Sequence, residues 1–139
     1  MLPQTTSGFT DDALVALLRD GLPALLAVYR YGSAGTVFER PESDLDLAVL
    51  AEAPVDFATR ARLTAELAQM LGRDVDLNDM RSLPVTLRVQ IVTGGARLFA
   101  VESAWLEAYE SRVLSDYAYL NEKRRPILED IRARGSIFG

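Results

Sequence analysis

Two aspartates separated by one residue, Asp44 and Asp46, are the side chains in this chain best placed to do chemistry. They open an apolar run, Leu45-Asp46-Leu47-Ala48-Val49-Leu50, that reads as a strand. Side chains at i and i+2 of a strand share a face, so the two carboxylates project together while Leu45, Leu47 and Val49 turn to the core. Like charges held so close repel unless a cation sits between them. Hard oxygen donors in that arrangement suit Mg²⁺, which is commonly held by one or two carboxylates plus substrate phosphates. Upstream stands Gly32-Ser33, parted from Asp44 by residues 34–43 and preceded by the apolar run Leu25–Tyr31. A Gly-Ser turn offers a close backbone approach and a hydroxyl, which is what a phosphate cradle requires. Arg30 and Arg40 flank it as candidate sources of positive charge.

Composition narrows the chemistry further. The chain of 139 residues contains no Cys and no His. That excludes a disulfide scaffold, a thiolate nucleophile, histidine general bases and the usual zinc sites. What remains is carboxylates, hydroxyls, Arg, Lys and a bound metal. A formal charge of −5 argues against a long nucleic acid as main partner, since phosphate neutralisation needs a basic surface. A nucleotide chelated to Mg²⁺ escapes that argument. No apolar run approaches the roughly 18 residues of a membrane span, and residues 1–10 lack the pattern of a signal peptide. The cytoplasm is the expected compartment.

The elements that must position these residues follow from periodicity and punctuation. Residues 1–9 carry no period and are expected to be a mobile lead, with Thr10 capping a helix over Leu14, Leu17 and Leu18 that Gly21 stops. Leu25–Tyr31 reads as a first strand and Asp44–Leu50 as a second. Asp56 caps a helix to Leu71 whose apolar stripe is Phe57, Leu63, Leu67 and Met70, with Gly72 at its end. Residues 73–79 alternate as a third strand. A helix over 83–92 starts with Pro84 in its first turn, and a short β segment covers 97–101. Ser103 opens a long helix carrying Trp105, Tyr109 and Tyr117, which Pro126 should end or kink before a last piece over 127–134. These aromatic residues read as core or partner-facing rather than as a base-stacking site. Lys123-Arg124-Arg125 reads as helix C-terminal charge or as a docking patch for an acidic partner. The order of elements predicts a small mixed α/β (α+β) sheet packed on one side by helices, with a C-terminal helical extension. One domain should span 1–139, its core over about residues 10–101 and its C-terminal helices over about 103–134.

Gly32-Ser33, ten intervening residues and Asp44-Leu45-Asp46 together resemble the signature of the nucleotidyltransferase superfamily related to DNA polymerase beta. The short length, the lead-in Arg40-Pro41-Glu42-Ser43-Asp44 and the later Val75-Asp76-Leu77 resemble its minimal nucleotidyltransferases, the antitoxin halves of HEPN/MNT toxin–antitoxin pairs. The resemblance covers residues 25–80 and departs after Ser33, where many relatives carry a further Gly and basic residues.

Several expectations follow from that resemblance. The strands bearing Gly-Ser and the aspartates should be neighbours in one sheet. Asp44 and Asp46 should hold Mg²⁺, and Asp76 should be the third carboxylate of a two-ion site, with Asp74 and Asp79 as its rivals. Gly32 and Ser33 should bind the triphosphate of ATP. The implied reaction is transfer of AMP to a tyrosine hydroxyl of a partner HEPN ribonuclease toxin, which silences the toxin. A small-molecule nucleotidyltransferase of the antibiotic-modifying type, a binding-only antitoxin and a regulatory nucleotide-binding module are the competing readings.

Overall fold

The computed structural model describes residues 3–32 and 44–133, with side chains over 11–32 and 44–127. Its elements run α1 (Pro3–Gly21), β1 (Leu25–Tyr31), β2 (Leu45–Ala51), α2 (Phe57–Leu71), β3 (Val75–Asp79), a 3₁₀ turn (Met80–Ser82), α3 (Val85–Gly94), β4 (Ala96–Ala100) and α4 (Ala104–Ala133). The four strands form one mixed sheet in the order β3-β2-β1-β4. β1 is antiparallel to both of its neighbours, while β2 and β3 are parallel and joined through α2. The strands expected to carry the site are therefore adjacent.

α2 forms where its caps dictate. The Asp56 carboxylate accepts from the backbone N–H of Thr59 at 2.7 Å, and Gly72 ends the helix in the left-handed region at φ 68°. Leu63 and Leu67 are fully buried on its inner face. Phe57, expected in the same stripe, is 75% exposed. It sits six residues before Leu63, about 240° away around the helix.

Helices cover both faces of the sheet, rather than one. On one face Val28, Leu47, Val49 and Leu77 pack against Leu14 and Leu18 of α1 and Leu63 and Leu67 of α2. On the other, Ala27, Tyr29, Ala48 and Leu50 pack against Met80, Ile91 of α3 and Leu106 of α4. β2 explains this: it is buried without interruption from Leu47 to Ala51, the pattern of a strand covered on both sides. A register shift between Leu25 and Ala27 lets both Leu25 and Val28 face α1.

Two other expectations are corrected. α1 begins at Pro3, so Thr10 lies inside it and does not cap it; proline is tolerated in a first turn because its missing N–H has no partner to lose. α4 runs through Pro126 to Ala133. Residues 122–127 are exposed, so water can take the carbonyl that the ring deprives of its donor.

Candidate active site

β1, β2 and β3 bring one row of side chains together. Tyr31 is the antiparallel partner of Asp46, and Asp46 is the parallel partner of Asp76. All three belong to the face that carries α3 and α4, because Asp46 alternates with the inward-facing Leu45 and Leu47. Asp44 stands two residues earlier, exposed, just before β2 begins. The Asp46 carboxyl is pushed above the usual carboxylate range, first by burial and then by the charges of Asp76 and Asp44. This half-buried carboxylate is thus hemmed in by two others.

Gly32 closes the row at the end of β1. Its φ of 73° lies in the left-handed region, and a Cβ built there would fall on Oδ2 of Asp46. Both facts require glycine: a side chain would be strained and would displace the carboxylate. Ser33 and Arg40 lie outside the described residues, so the second half of the expected phosphate turn is not described.

Two residues of the site escaped the sequence argument. Asn78 Nδ2 donates to the Tyr31 hydroxyl at 3.1 Å, so the Tyr31 side chain spans β2 to reach β3. The Tyr31 phenol is held above its usual range by burial and by Asp46 and Asp76, against the opposing pull of the Asn78 hydrogen bond. It stays neutral beside the carboxylates. The signal for Asn78 was present, since strand alternation places it on the face of Asp76.

The rivals of Asp76 sit elsewhere. Asp79 is 7% exposed and already engaged: Oδ2 accepts from Val55 N at 2.9 Å and Oδ1 from Arg81 N at 3.0 Å. Asp74 accepts through its backbone oxygen from Leu45 N at 2.9 Å, and with Asp44 it lines a groove against Arg60 and Thr64 of α2. Arg30 faces away from the site. Its guanidinium pairs with Asp11 of α1 at 2.8 Å, which removes it as a source of charge for a phosphate.

Among the described residues no three acidic side chains are gathered tightly enough to enclose an ion. The donor set nevertheless fits a hard divalent cation: the charged groups beside Asp46 are the carboxylates of Asp76 and Asp44, and their mutual repulsion is what a cation would relieve.

Comparison with known proteins gives the family. The family model described as Polymerase beta, Nucleotidyltransferase matches residues 15–103. This chain belongs to the polymerase beta nucleotidyltransferase family. It is 35% identical over 123 residues to the protein adenylyltransferase MntA of Shewanella oneidensis, covering 88% of each chain. Among solved structures, a toxin–antitoxin complex with AMP-PNP aligns at a TM-score of 0.77 and 34% identity, over 88% of this chain and 98% of the other. The MNT antitoxin in complex with the tri-AMPylated Shewanella oneidensis HEPN toxin aligns at 0.73 and 34%, over 89% and 97%. The matched span of this nucleotidyltransferase holds every described site residue from Tyr31 to Asn78, whereas α4 lies beyond it.

Proposed function

We propose that this nucleotidyltransferase moves AMP from ATP onto a tyrosine hydroxyl of a partner HEPN ribonuclease toxin, and acts as its antitoxin. One structural observation carries the reading: three neighbouring strands align Gly32, Asp46 and Asp76 on one face. Its specificity for a protein acceptor rests on likeness, over nearly the whole chain, to a protein adenylyltransferase and to an antitoxin bound to an AMPylated HEPN toxin. The whole chain would act as one unit. Among the described residues no helix is long and apolar enough to cross a membrane, and the reading sets the reaction in the cytoplasm, where ATP and RNA are found.

Asp44, Asp46 and Asp76 would hold Mg²⁺, in a two-ion site. Such ions neutralise the triphosphate and favour the ionised form of an attacking hydroxyl. Gly32 lets the backbone approach the phosphates beside Asp46, and the Gly32-Ser33 turn would donate to them. The incoming tyrosine oxygen forms a bond to the α-phosphorus as the bond to the bridging oxygen breaks, and pyrophosphate leaves. Its proton passes to a carboxylate oxygen of Asp76, which is exposed and therefore accessible. Neutral Tyr31, held by Asn78, walls the row without adding negative charge.

Mass spectrometry of the partner tests this. Incubation of the chain with its HEPN partner, ATP and Mg²⁺ should add one or more AMP units to a tyrosine, with ribonuclease activity lost in step. Neutralisation with no mass change, equally by Asp44→Asn, would make the chain a binding-only antitoxin. Turnover on a small hydroxyl compound without any partner would make it a small-molecule enzyme.

A further inference from the structure

Four buried side-chain polar atoms lack a hydrogen-bond partner among the described residues, and three of them belong to one cavity. They are Nε of Arg81, Nε of Arg88 and the hydroxyl of Tyr109; the fourth, Nε of Arg30, lies elsewhere. A cavity of about 330 Å³ between the 3₁₀ turn, α3 and α4 is lined by Arg81, Arg88, Arg112, Trp105, Tyr109 and Asp116. It lies apart from the carboxylate row. Arg81 is anchored by Nη2 donating to the Ala51 carbonyl at 2.7 Å, five residues along β2 from Asp46, or about 17 Å at strand rise. Three guanidiniums face one carboxylate here, in a chain whose overall charge is −5. Among the described residues none of the three forms a salt bridge.

The wall of the cavity is aromatic. Trp105 and Tyr109 stack at 5.6 Å and 13°, and the Arg81 guanidinium lies 5.5 Å from the Trp105 ring centre. Trp105, Tyr109, Arg112 and Asp116 recur at spacings of four, three and four, so they share one stripe of α4. The same spacing continues through Tyr119 and Lys123 to Ile127. Trp105 is 48% exposed, Tyr119 62% and Ile127 61%, so among the described residues three of the six exposed large hydrophobic side chains lie on this stripe. From Trp105 to Ile127 it runs about 33 Å.

We infer that this stripe is a docking seam for a helix of the partner protein, and that the arginine cavity receives an Asp or Glu side chain from it. Charge complementarity supplies the anchor: a carboxylate takes the unpartnered N–H groups, and Arg with Trp and Tyr is the side-chain set that dominates interface energetics. The apolar side chains beyond the cavity set the occupant's class. A nucleotide phosphate would satisfy the arginines, yet would leave Tyr119 and Ile127 uncovered; an amphipathic helix covers all of them at its own three- and four-residue spacing. This inference rests on the proposed function only in taking the HEPN partner as the docked protein.

Trp105 is the chain's one tryptophan and reports on the cavity directly. Its emission should change on titration with the purified HEPN partner, and Arg88→Glu should raise the dissociation constant about a hundredfold. Arg112→Glu and Tyr119→Glu change exposed side chains that the fold does not need, and each should weaken binding about tenfold or more. Stabilisation of all three variants by ATP and Mg²⁺ should match that of the unmutated chain, because none touches the carboxylate row. Acid-to-lysine substitution on the partner should restore binding to Arg88→Glu. Unchanged partner affinity in all three variants overturns the inference. So does a response of Trp105 to inorganic phosphate or AMP-PNP alone that Arg112→Glu abolishes, since the occupant would then be a nucleotide phosphate. AMP transfer is read separately by mass: a partner that docks on Trp105 without being modified leaves this seam standing and removes the proposed reaction.

Discussion

Gly32 and Asp46 are packed so closely that a Cβ at position 32 would collide with the Asp46 carboxylate. The turn and the carboxylate therefore define each other's positions. Gly32→Ala should cost about 1–2 kcal/mol for the left-handed backbone alone, and more once Asp46 is displaced. ATP-dependent stabilisation should fall along with the melting temperature. A variant that melts and binds ATP like the unmutated chain would show that Gly32 is not held in this conformation.

Asp46 carries its charge at a cost. The folded state holds the Asp46 proton more tightly than the unfolded chain does, because burial and the neighbouring carboxylates raise its pKa. In metal-free protein its contribution therefore improves as pH falls into the carboxylate range, opposite in sign to a salt-bridged aspartate. Asp46→Asn should raise the metal-free melting temperature at neutral pH, and Asp44→Asn should do so less. With nucleotide present, Mg²⁺ should stabilise the unmutated chain and neither variant. Equal stabilisation of all three by Mg²⁺ would remove both residues from the metal site.

Much of this was legible in the sequence, for definite reasons. Asp56 and Gly72 bracket α2 with a side-chain cap and a left-handed glycine, both local signals. Alternation sets Asp46 opposite Leu45 and Leu47 and Asp76 opposite Val75 and Leu77, and the resemblance supplied the adjacency of their strands. The failures are non-local. Arg30 stands beside the Gly-Ser turn in sequence, but α1 brings Asp11 to its guanidinium. The second covered face depends on α4 folding back, with Tyr29 donating to Glu110 at 2.8 Å across 81 residues, and no periodicity encodes that pairing. Phe57 fits the apolar stripe of α2 by residue type, but its helical phase points outward.

Asp76 and Asp79 are two aspartates on one short strand with opposite duties. Buried Asp79 accepts from two part-buried backbone N–H groups, so Asp79→Ala should cost about 2 kcal/mol in denaturant unfolding. Asp76 is exposed and bonds no backbone among the described residues, so Asp76→Asn should unfold normally while AMP transfer is suppressed and nucleotide binding persists. Asp74→Asn should leave transfer largely intact. An inactive Asp74→Asn beside an active Asp76→Asn would move the third carboxylate to the groove on α2.

Tyr29 should make the fold sensitive to alkali. Its ring is 1% exposed, and its hydroxyl donates to Oε2 of Glu110 while Arg97 pairs with Oε1 of the same carboxylate at 2.9 Å. Burial raises the Tyr29 pKa first, and the bond to Glu110 and its charge raise it further. A phenol with a raised folded pKa contributes stability that is complete below the unfolded value of about 10 and declines as pH rises beyond it. Denaturant midpoints should therefore drop steeply above about pH 10. Absorbance titration of the five tyrosines should show one that ionises only as the chain unfolds. Tyr29→Phe should be less stable at pH 8, having lost the bond to Glu110, yet its midpoint should fall less between neutral and alkaline pH. An equal alkaline loss in the variant would mean that Tyr29 can ionise inside the fold, and that α4 does not seal this face of the sheet.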